Sequence, residues 1–230
     1  MSERILAIES ASERCSVALL NEGEVTVLSN DTPRGHADNI LPMIDAVLAE
    51  QSVKLSTLDA VAFTKGPGAF TSVRIGTAVV QGLALGADLK VIQASSLEVM
   101  AQGLIDKYNA KHIMVALDAR MDEVYFGLYK QGQDGLAQAI QPDLVSKPED
   151  IEIGSEFELI NFDWHITGKG FKEYEQGMSA RFRQFNTVSE DHDFPSAVAL
   201  VTVAKQKLLK QDWLDAEQVI PVYIRDQVVK

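Results

Sequence analysis

Apolar residues recur along this chain in two rhythms, and the order of the rhythms predicts the architecture. Three strand-length runs come first, Ile5-Leu-Ala-Ile-Glu9, Ser16-Val-Ala-Leu-Leu20 and Val25-Thr-Val-Leu-Ser29, separated by polar turns such as Asn21-Glu-Gly-Glu24. They predict a meander. A helical rhythm follows, in which Ile40, Leu41, Ile44, Val47 and Leu48 recur at steps of three and four, with Asp38 near the start and Pro42 in the first turn. Strand 60–64, a glycine-rich turn, a helix over 72–86, strand 89–93 and a helix from near Ser95 complete the first half. Strands giving way to alternating helix and strand mark one half of a two-lobed α/β protein.

The second half predicts strands at 112–118, 123–130, 157–161 and 164–167, the last running into Gly168-Lys-Gly170. Pro195 opens an amphipathic helix whose apolar side carries Val198, Leu200, Val201, Val203, Ala204, Leu208 and Leu209. Lys205, Lys207 and Lys210 crowd its last turns, where cations suit the helix dipole. Residues 131–156 are acidic and irregular, and are read as a surface excursion. The halves echo one another: Ile5 to Glu9 maps onto Met114 to Asp118, Ser16 onto Tyr125 and Gly23 onto Gly132, at one constant separation. Two readings fit this echo, duplication of one α/β unit or two ordinary hairpins that happen to look alike.

The joint between strand 60–64 and the next helix is the densest local signal. Gly66 and Gly68 flank Pro67, and Thr71 or Ser72 is placed to cap the helix. Free amides at such a helix start suit an anion, which makes Gly66, Gly68, Thr71 and Arg74 candidate anion or nucleotide contacts. The spacing is neither the phosphate-binding loop nor the dinucleotide fingerprint, so a tight structural turn fits equally.

Charge and composition narrow the function classes. A formal charge of −12 and a pI near 4.8 oppose unaided binding of DNA or RNA. With 46% hydrophobic residues the chain can bury a sizeable core. A single cysteine, Cys15, allows no internal disulfide, and with no basic apolar leader or membrane-length apolar run this suits a protein of the reducing cytoplasm. His36 has Ile40 four residues on, so no helical two-histidine clamp forms there, and His112, His165 and His192 stand singly. Glu9 and Asp118 are the candidate acids. Acids at strand ends can orient magnesium and water where small glycine and hydroxyl residues follow and let backbone amides close on phosphates, but here Ser-Ala-Ser-Glu and Ala-Arg-Met-Asp follow them. Arg120 is placed to pair with Asp118 or Glu123.

Five ordered motifs together closely resemble the bacterial TsaB (YeaZ) family: Ile5 to Leu19, Arg34 to Ile44, Gly66 to Gly76, Asp118 to Tyr125 and Pro221-Val-Tyr-Ile-Arg225. The resemblance covers nearly the whole chain. It implies an α/β, actin-like (ASKHA, ribonuclease H-like) fold of two lobes, each a mixed sheet flanked by helices. The expected boundaries are 1–104 for the first lobe, joined by helix 195–212, and 105–194 for the second. It implies a noncatalytic subunit that binds and activates a TsaD-type transferase in the complex making N6-threonylcarbamoyladenosine beside the anticodon of ANN-decoding tRNAs. A TsaE-type P-loop ATPase joins the larger complex, the chain pairs with itself when alone, and tRNA is reached only through the complex.

The paralogous transferase carries a His-x-Glu-x-His metal segment that corresponds by position to Ser96-Leu-Glu-Val-Met100. Serine and a thioether do not replace two imidazole ligands, so no metal or cofactor is expected. Glu9 and Ser10 stand where family members commonly have aspartate and threonine. The helices 39–50 and 72–86 carry more apolar positions than one buried stripe requires, which makes Ile40, Met43, Ile44, Val47, Val79, Val80 and Leu83 the expected partner interface. The other reading is that sheet and neighbouring helices cover both faces. An actin-like phosphotransferase or ATPase, or a metal-dependent peptidase, is the enzyme alternative.

Overall fold

The computed structural model describes residues 3–31, 35–153, 163–182, 185–187 and 193–220. Two compact units divide the chain: one runs up to Val99 and resumes at Pro195, and the other spans Met100 to Phe194.

The first unit is built on a five-stranded sheet, β1 (Arg4–Glu9), β2 (Cys15–Asn21), β3 (Glu24–Asn30), β4 (Ala60–Thr64) and β5 (Lys90–Ala94), in the order β3-β2-β1-β4-β5. The meander β1-β2-β3 is antiparallel, and β4 and β5 add in parallel. Strand alternation separates two apolar layers. Leu6, Ile8, Val17, Leu19, Val61, Phe63 and Val91 pack on one face under α1 (His36–Glu50) and α2 (Phe70–Ala87). Ile5, Ala7, Ala18, Ala60, Ala62, Ile92 and Ala94 pack on the other under α6 (Ala197–Leu209). That second face is rich in alanine, so α6 lies close, its own Ala197, Leu200, Val203 and Ala204 fully buried. Each large side chain removed from water there contributes about 1.5–3 kcal/mol. Ser196 caps α6 by accepting from the Val198 amide, and the Ala197 amide donates to the Ser16 hydroxyl, fixing the helix on β2.

The second sheet repeats this plan. β6 (His112–Arg120) and β7 (Glu123–Gln131) form the hairpin, β8 (Ala137–Ala139) and β9 (Leu144–Ser146) pair with β7, and β10 (Trp164–Thr167) and β11 (Asn186–Thr187) add in parallel beside β6. Its order, β11-β10-β6-β7-β8, is that of the first sheet read backwards. Shared order and shared strand senses make this an actin-like, ribonuclease H-like α/β fold. The core gathers Met114, Ala116, Phe126, Leu128, Trp164 and Ile166 against α4 (Gly170–Glu173) and α5 (Glu175–Phe182), with Phe182 stacked among Phe126, Phe171 and Phe185. α3 (Ser96–Tyr108) carries the chain between the units.

Three local expectations change. Residues 131–156 are not wholly irregular: β8 and β9 lie there, and Leu136 and Ala137 are buried. Neither Thr71 nor Ser72 caps α2, which begins earlier, with Ala69 at the N-cap and no side-chain cap. The hairpin echo is not in constant register: Glu9 faces Ser16 but Asp118 faces Val124, one residue short of the expected Tyr125, because β6 carries a bulge between Asp118 and Arg120. The expected strand 157–161 lies outside the described residues, as do His192 and the motif 221–225.

Candidate functional site

The glycine joint turns its polar groups onto the protein. Gly68 lies so close to the β1–β2 loop that a Cβ would sit 2.0 Å from the Ala11 carbonyl oxygen, and the Ala69 amide donates to that oxygen at 2.8 Å. Gly76 does the same further along α2, where a Cβ would meet Ser10 Oγ at 2.2 Å. Gly66 adopts φ +101°, and its carbonyl accepts from the Ser96 amide. The glycines therefore seat α2 against the β1–β2 loop. Thr71 is exposed, and the Arg74 guanidinium stacks on the Phe70 ring, 3.5 Å from its centre. The four candidate anion contacts thus do not converge: Gly66 and Gly68 bind protein, and Arg74 lies over an aromatic face.

Behind that joint sits Glu9, fully buried. Its Oε1 accepts from the Ala11 amide at 2.8 Å and from the Thr64 hydroxyl at 3.2 Å, and Oε2 lies 3.2 Å from Ser12 Oγ. Ser12 Oγ also donates to the Arg14 carbonyl at 2.9 Å, and His36 Nε2 lies 3.0 Å from the Ser12 carbonyl oxygen. Burial pushes the carboxyl up to about 8, against the lowering effect of those hydrogen bonds. A carboxyl raised to about 8 is mostly protonated at neutral pH. A neutral acid fits the geometry, with its carbonyl oxygen accepting twice and its O–H donating to Ser12 Oγ, which in turn donates its hydrogen bond to the Arg14 carbonyl oxygen. A neutral carboxyl walled in by Ala11, Ser12 and Thr64 has no charge to offer a metal ion or a water nucleophile. Cys15 beside it is likewise pushed up, to about 12, first by burial and then by Glu9, which makes it a poor nucleophile.

Asp118, at the equivalent place in the second unit, is open by comparison. Its Oδ1 accepts from the Arg120 amide and the Tyr174 hydroxyl, each at 2.7 Å, and its Oδ2 pairs with the Arg120 guanidinium at 2.7 Å. In the Ser96–Met100 segment, Ser96 and Met100 are buried, and Glu98 faces Lys207 at 3.7 Å and accepts from the Ser95 amide. Among the described residues no group of three His, Cys, Asp or Glu side chains could hold a metal ion. His36 is buried at the entry of α1, and His112 packs on Trp164 with its pKa lowered by burial.

The expected interface residues need correction. Ile40, Met43, Ile44, Val47 and Val80 are buried in the first unit's own core, where the sheet takes up one whole stripe of each helix, and Val79 and Leu83 are half-buried against the same cluster. The outward faces hold other residues. Leu41 is 50% exposed on α1, with Pro42, Ala46 and Ala49 beside it in sequence register, and Phe70 and Leu85 are 49% and 70% exposed on α2. On α2, Ala78, Gly82 and Gly86 are also exposed, and a Cβ at either glycine would meet nothing within 4 Å. This is an apolar face with small residues four apart, which permits close approach of another element. Its signal in the sequence was the Gly82-Leu-Ala-Leu-Gly86 spacing, on the side of α2 opposite Val73, Thr77, Val80 and Ala84.

The family described as TsaD, tRNA N6-adenosine threonylcarbamoyltransferase, matches residues 26–230. The tRNA threonylcarbamoyladenosine biosynthesis protein TsaB of Escherichia coli is 36% identical over 227 residues, covering 98% of this chain and 96% of that protein. The TsaB protein of Haemophilus influenzae is 36% identical over 231 residues, covering 97% and 94%. The solved structure of YeaZ from Pseudomonas aeruginosa superposes with a TM-score of 0.88 at 37% identity, covering 96% of this chain and 99% of that one. With that agreement in sequence and fold along nearly its full length, the chain belongs to the TsaB (YeaZ) family of tRNA threonylcarbamoyladenosine biosynthesis proteins, within the wider TsaD-like family.

Proposed function

We propose that this chain is a noncatalytic subunit of the complex that forms N6-threonylcarbamoyladenosine beside the anticodon of ANN-decoding tRNAs, and that it binds a TsaD-type transferase and holds it active. The observation that carries this reading is the pairing of end-to-end likeness to TsaB proteins with a first acid, Glu9, that is fully buried and taken up by Ala11, Ser12 and Thr64. The replacement of two imidazoles by Ser96 and Met100 supports the same division of labour. A net charge of −12 fits a subunit that reaches tRNA through its partner in the cytoplasm, with a TsaE-type ATPase joining the larger assembly. No helix among the described residues is long and apolar enough to cross a membrane.

The docking face in this reading is the outward side of α1 and α2: Leu41, Phe70, Ala78, Gly82 and Leu85. Acidic substitutions at Ile44 or Val80 would test the core instead, since both are buried. Leu85→Asp and Leu41→Asp change only the exposed side, so their melting temperatures stay near wild type while association with the cognate TsaD-type subunit, measured by titration calorimetry, weakens by about tenfold or more. Unchanged association by both variants removes this face from the interface. tRNA modification that proceeds at full rate without the chain, or turnover by the purified chain alone, removes the noncatalytic role.

A further inference from the structure

The connection between β1 and β2, residues 10–14, is bonded both to Glu9 and to the start of α2. The Ala11 amide and Ser12 Oγ hold the Glu9 carboxyl at 2.8 and 3.2 Å, and Thr64 of β4 completes the cage. From the same connection, the Ala11 carbonyl oxygen accepts from the Ala69 amide at 2.8 Å, and Ser10 Oγ donates to the Ser72 carbonyl oxygen at 3.2 Å. Ala11 thus gives its amide to the acid and its carbonyl to the helix. The cover over the acid is thinnest at the connection itself: Cys15, Thr64 and His36 are buried, whereas Ser12 and Arg14 are half-buried and Glu13 is exposed.

We infer that this connection is a latch worked by a proton on Glu9: it closes over the neutral carboxyl and seats α2, and it lifts when the carboxyl ionises, so that the outward side of α2 binds its partner less tightly as pH rises. The last step rests on the docking face proposed above. Among the described residues Glu9 forms no ion pair, and the guanidinium of Arg14, on the same connection, is held by Asp31 at 2.6 and 3.3 Å. The other elements around the cage bring no countercharge to it. β2 offers Cys15, a thiol kept neutral by burial; α1 offers His36, whose Nε2 faces the Ser12 carbonyl oxygen; β4 offers Thr64; and the Arg74 guanidinium of α2 lies over Phe70. A buried charge without a partner is costly, and admitting water through residues 11–14 is the shortest relief. Lifting them breaks the bond from Ala69 to Ala11 and undoes the close approach of Gly68, so the first turn of α2, with Phe70 on it, loses its seat. Burial places the change just above neutral pH: the raised carboxyl is neutral and the seat intact at lower pH, and the seat is lost as pH rises through about 8.

Two measurements on the full chain test the latch, one without a partner and one with it. In hydrogen–deuterium exchange of the chain alone, residues 10–14 and 69–76 exchange faster in wild type than in Glu9→Gln, and the ratio grows by about tenfold from pH 7 to 9, as the ionised fraction of a group near 8 does. α6 shows no such growth. In calorimetric titration with the cognate TsaD-type subunit, the wild-type Kd rises by about tenfold over the same range relative to Glu9→Gln, and association at pH 8 takes up about half a proton that the variant does not. Equal pH dependence in the two proteins, or exchange that quickens equally in α6, overturns the latch. Quickened exchange with an affinity indifferent to pH overturns its coupling to docking. Circular dichroism checks that Glu9→Gln is folded; if it is not, exchange of residues 10–14 and 69–76 against α6 within wild type decides. Leu85→Asp separates this proposal from the docking face: if that variant binds as tightly as wild type, the face and the coupling fall together, while exchange of the chain alone still decides the latch.

Discussion

Glu9 and Asp118 stand at the same place in two sheets of one topology, yet their surroundings are opposite. Glu9 ends β1 beneath a five-residue connection, Ser10 to Arg14, that folds back over the carboxyl and supplies an amide and a hydroxyl to it. Asp118 lies at the bulge of a hairpin closed by Met121 and Asp122, where Arg120, Met121 and Asp122 all take positive φ and leave the carboxylate beside a guanidinium and a phenol. The difference teaches that the two units share their strand plan and not their connections. Strands fix where the acid stands; the loop decides whether it is a buried neutral group or an ion-paired one.

The sharpest way to break the comparison is to dislodge the first loop. Gly68→Ala drives a Cβ into the Ala11 carbonyl, a backbone atom that cannot swing aside, and is expected to cost about 3 kcal/mol or more in chemical denaturation. Gly82→Ala, in open space on the same helix, is the control and should stabilise by about 0.5–1 kcal/mol. If Gly68→Ala is as mild as its control, the loop is not clamped by α2, and the explanation offered for the burial of Glu9 fails.

Glu9 itself gives the next largest effect, and its sign depends on pH. The folded value near 8 lies above the unfolded 4.5, so the group's contribution is fully present below pH 4.5 and is lost as pH rises toward 8. The gap corresponds to roughly 3–6 kcal/mol of lost stability across that range. Glu9→Gln keeps the shape of the neutral acid and does not ionise. The variant should therefore be flatter between pH 5 and 8, and more stable than wild type at pH 8 by about 1–3 kcal/mol, the spare amide proton offsetting part of the gain. Parallel pH profiles for the two proteins would mean that Glu9 is ionised in the folded state.

Much of this contrast could be read from residue order, and some could not. Strand-length runs such as Ile5 to Glu9 are apolar on both faces, and they announce buried strands wherever they occur. The acid positions followed from the echo of Glu9 in Asp118. Burial of Glu9 was not legible, because it depends on Gly68 and Gly76 approaching a loop far away in sequence. That Ile40, Met43, Ile44, Val47 and Val80 are buried was not legible for a related reason. Periodicity tells which residues of α1 and α2 share a side, but α6 arrives from the far end of the chain and covers the other face of the sheet. The α1 and α2 side of the sheet was left to residues such as Ile40, Ile44 and Val80, and of the large apolar side chains on those two helices Leu41, Phe70 and Leu85 are exposed. The short strands β8 and β9 carry too few residues for a period to show, and are held by pairing with β7.

The second acid should answer more weakly. Tyr174→Phe removes one hydroxyl from Asp118 and leaves the Arg120 pair, so the cost should be about 1 kcal/mol or less. Burial and the adjacent Asp118 push the phenol up to about 12, which means its stabilising bond persists through neutral pH and is lost only as pH rises from 10 through that value. Wild type should show one tyrosine ionising late in near-ultraviolet absorbance, absent from Tyr174→Phe, while the two proteins keep the same pH dependence between 5 and 8. A Tyr174→Phe variant that flattened the profile in that lower range would place the pH-sensitive group in the second unit. Glu9 would then no longer be the buried member of the pair, and the division between a sealed acid and an open one would have to be reversed.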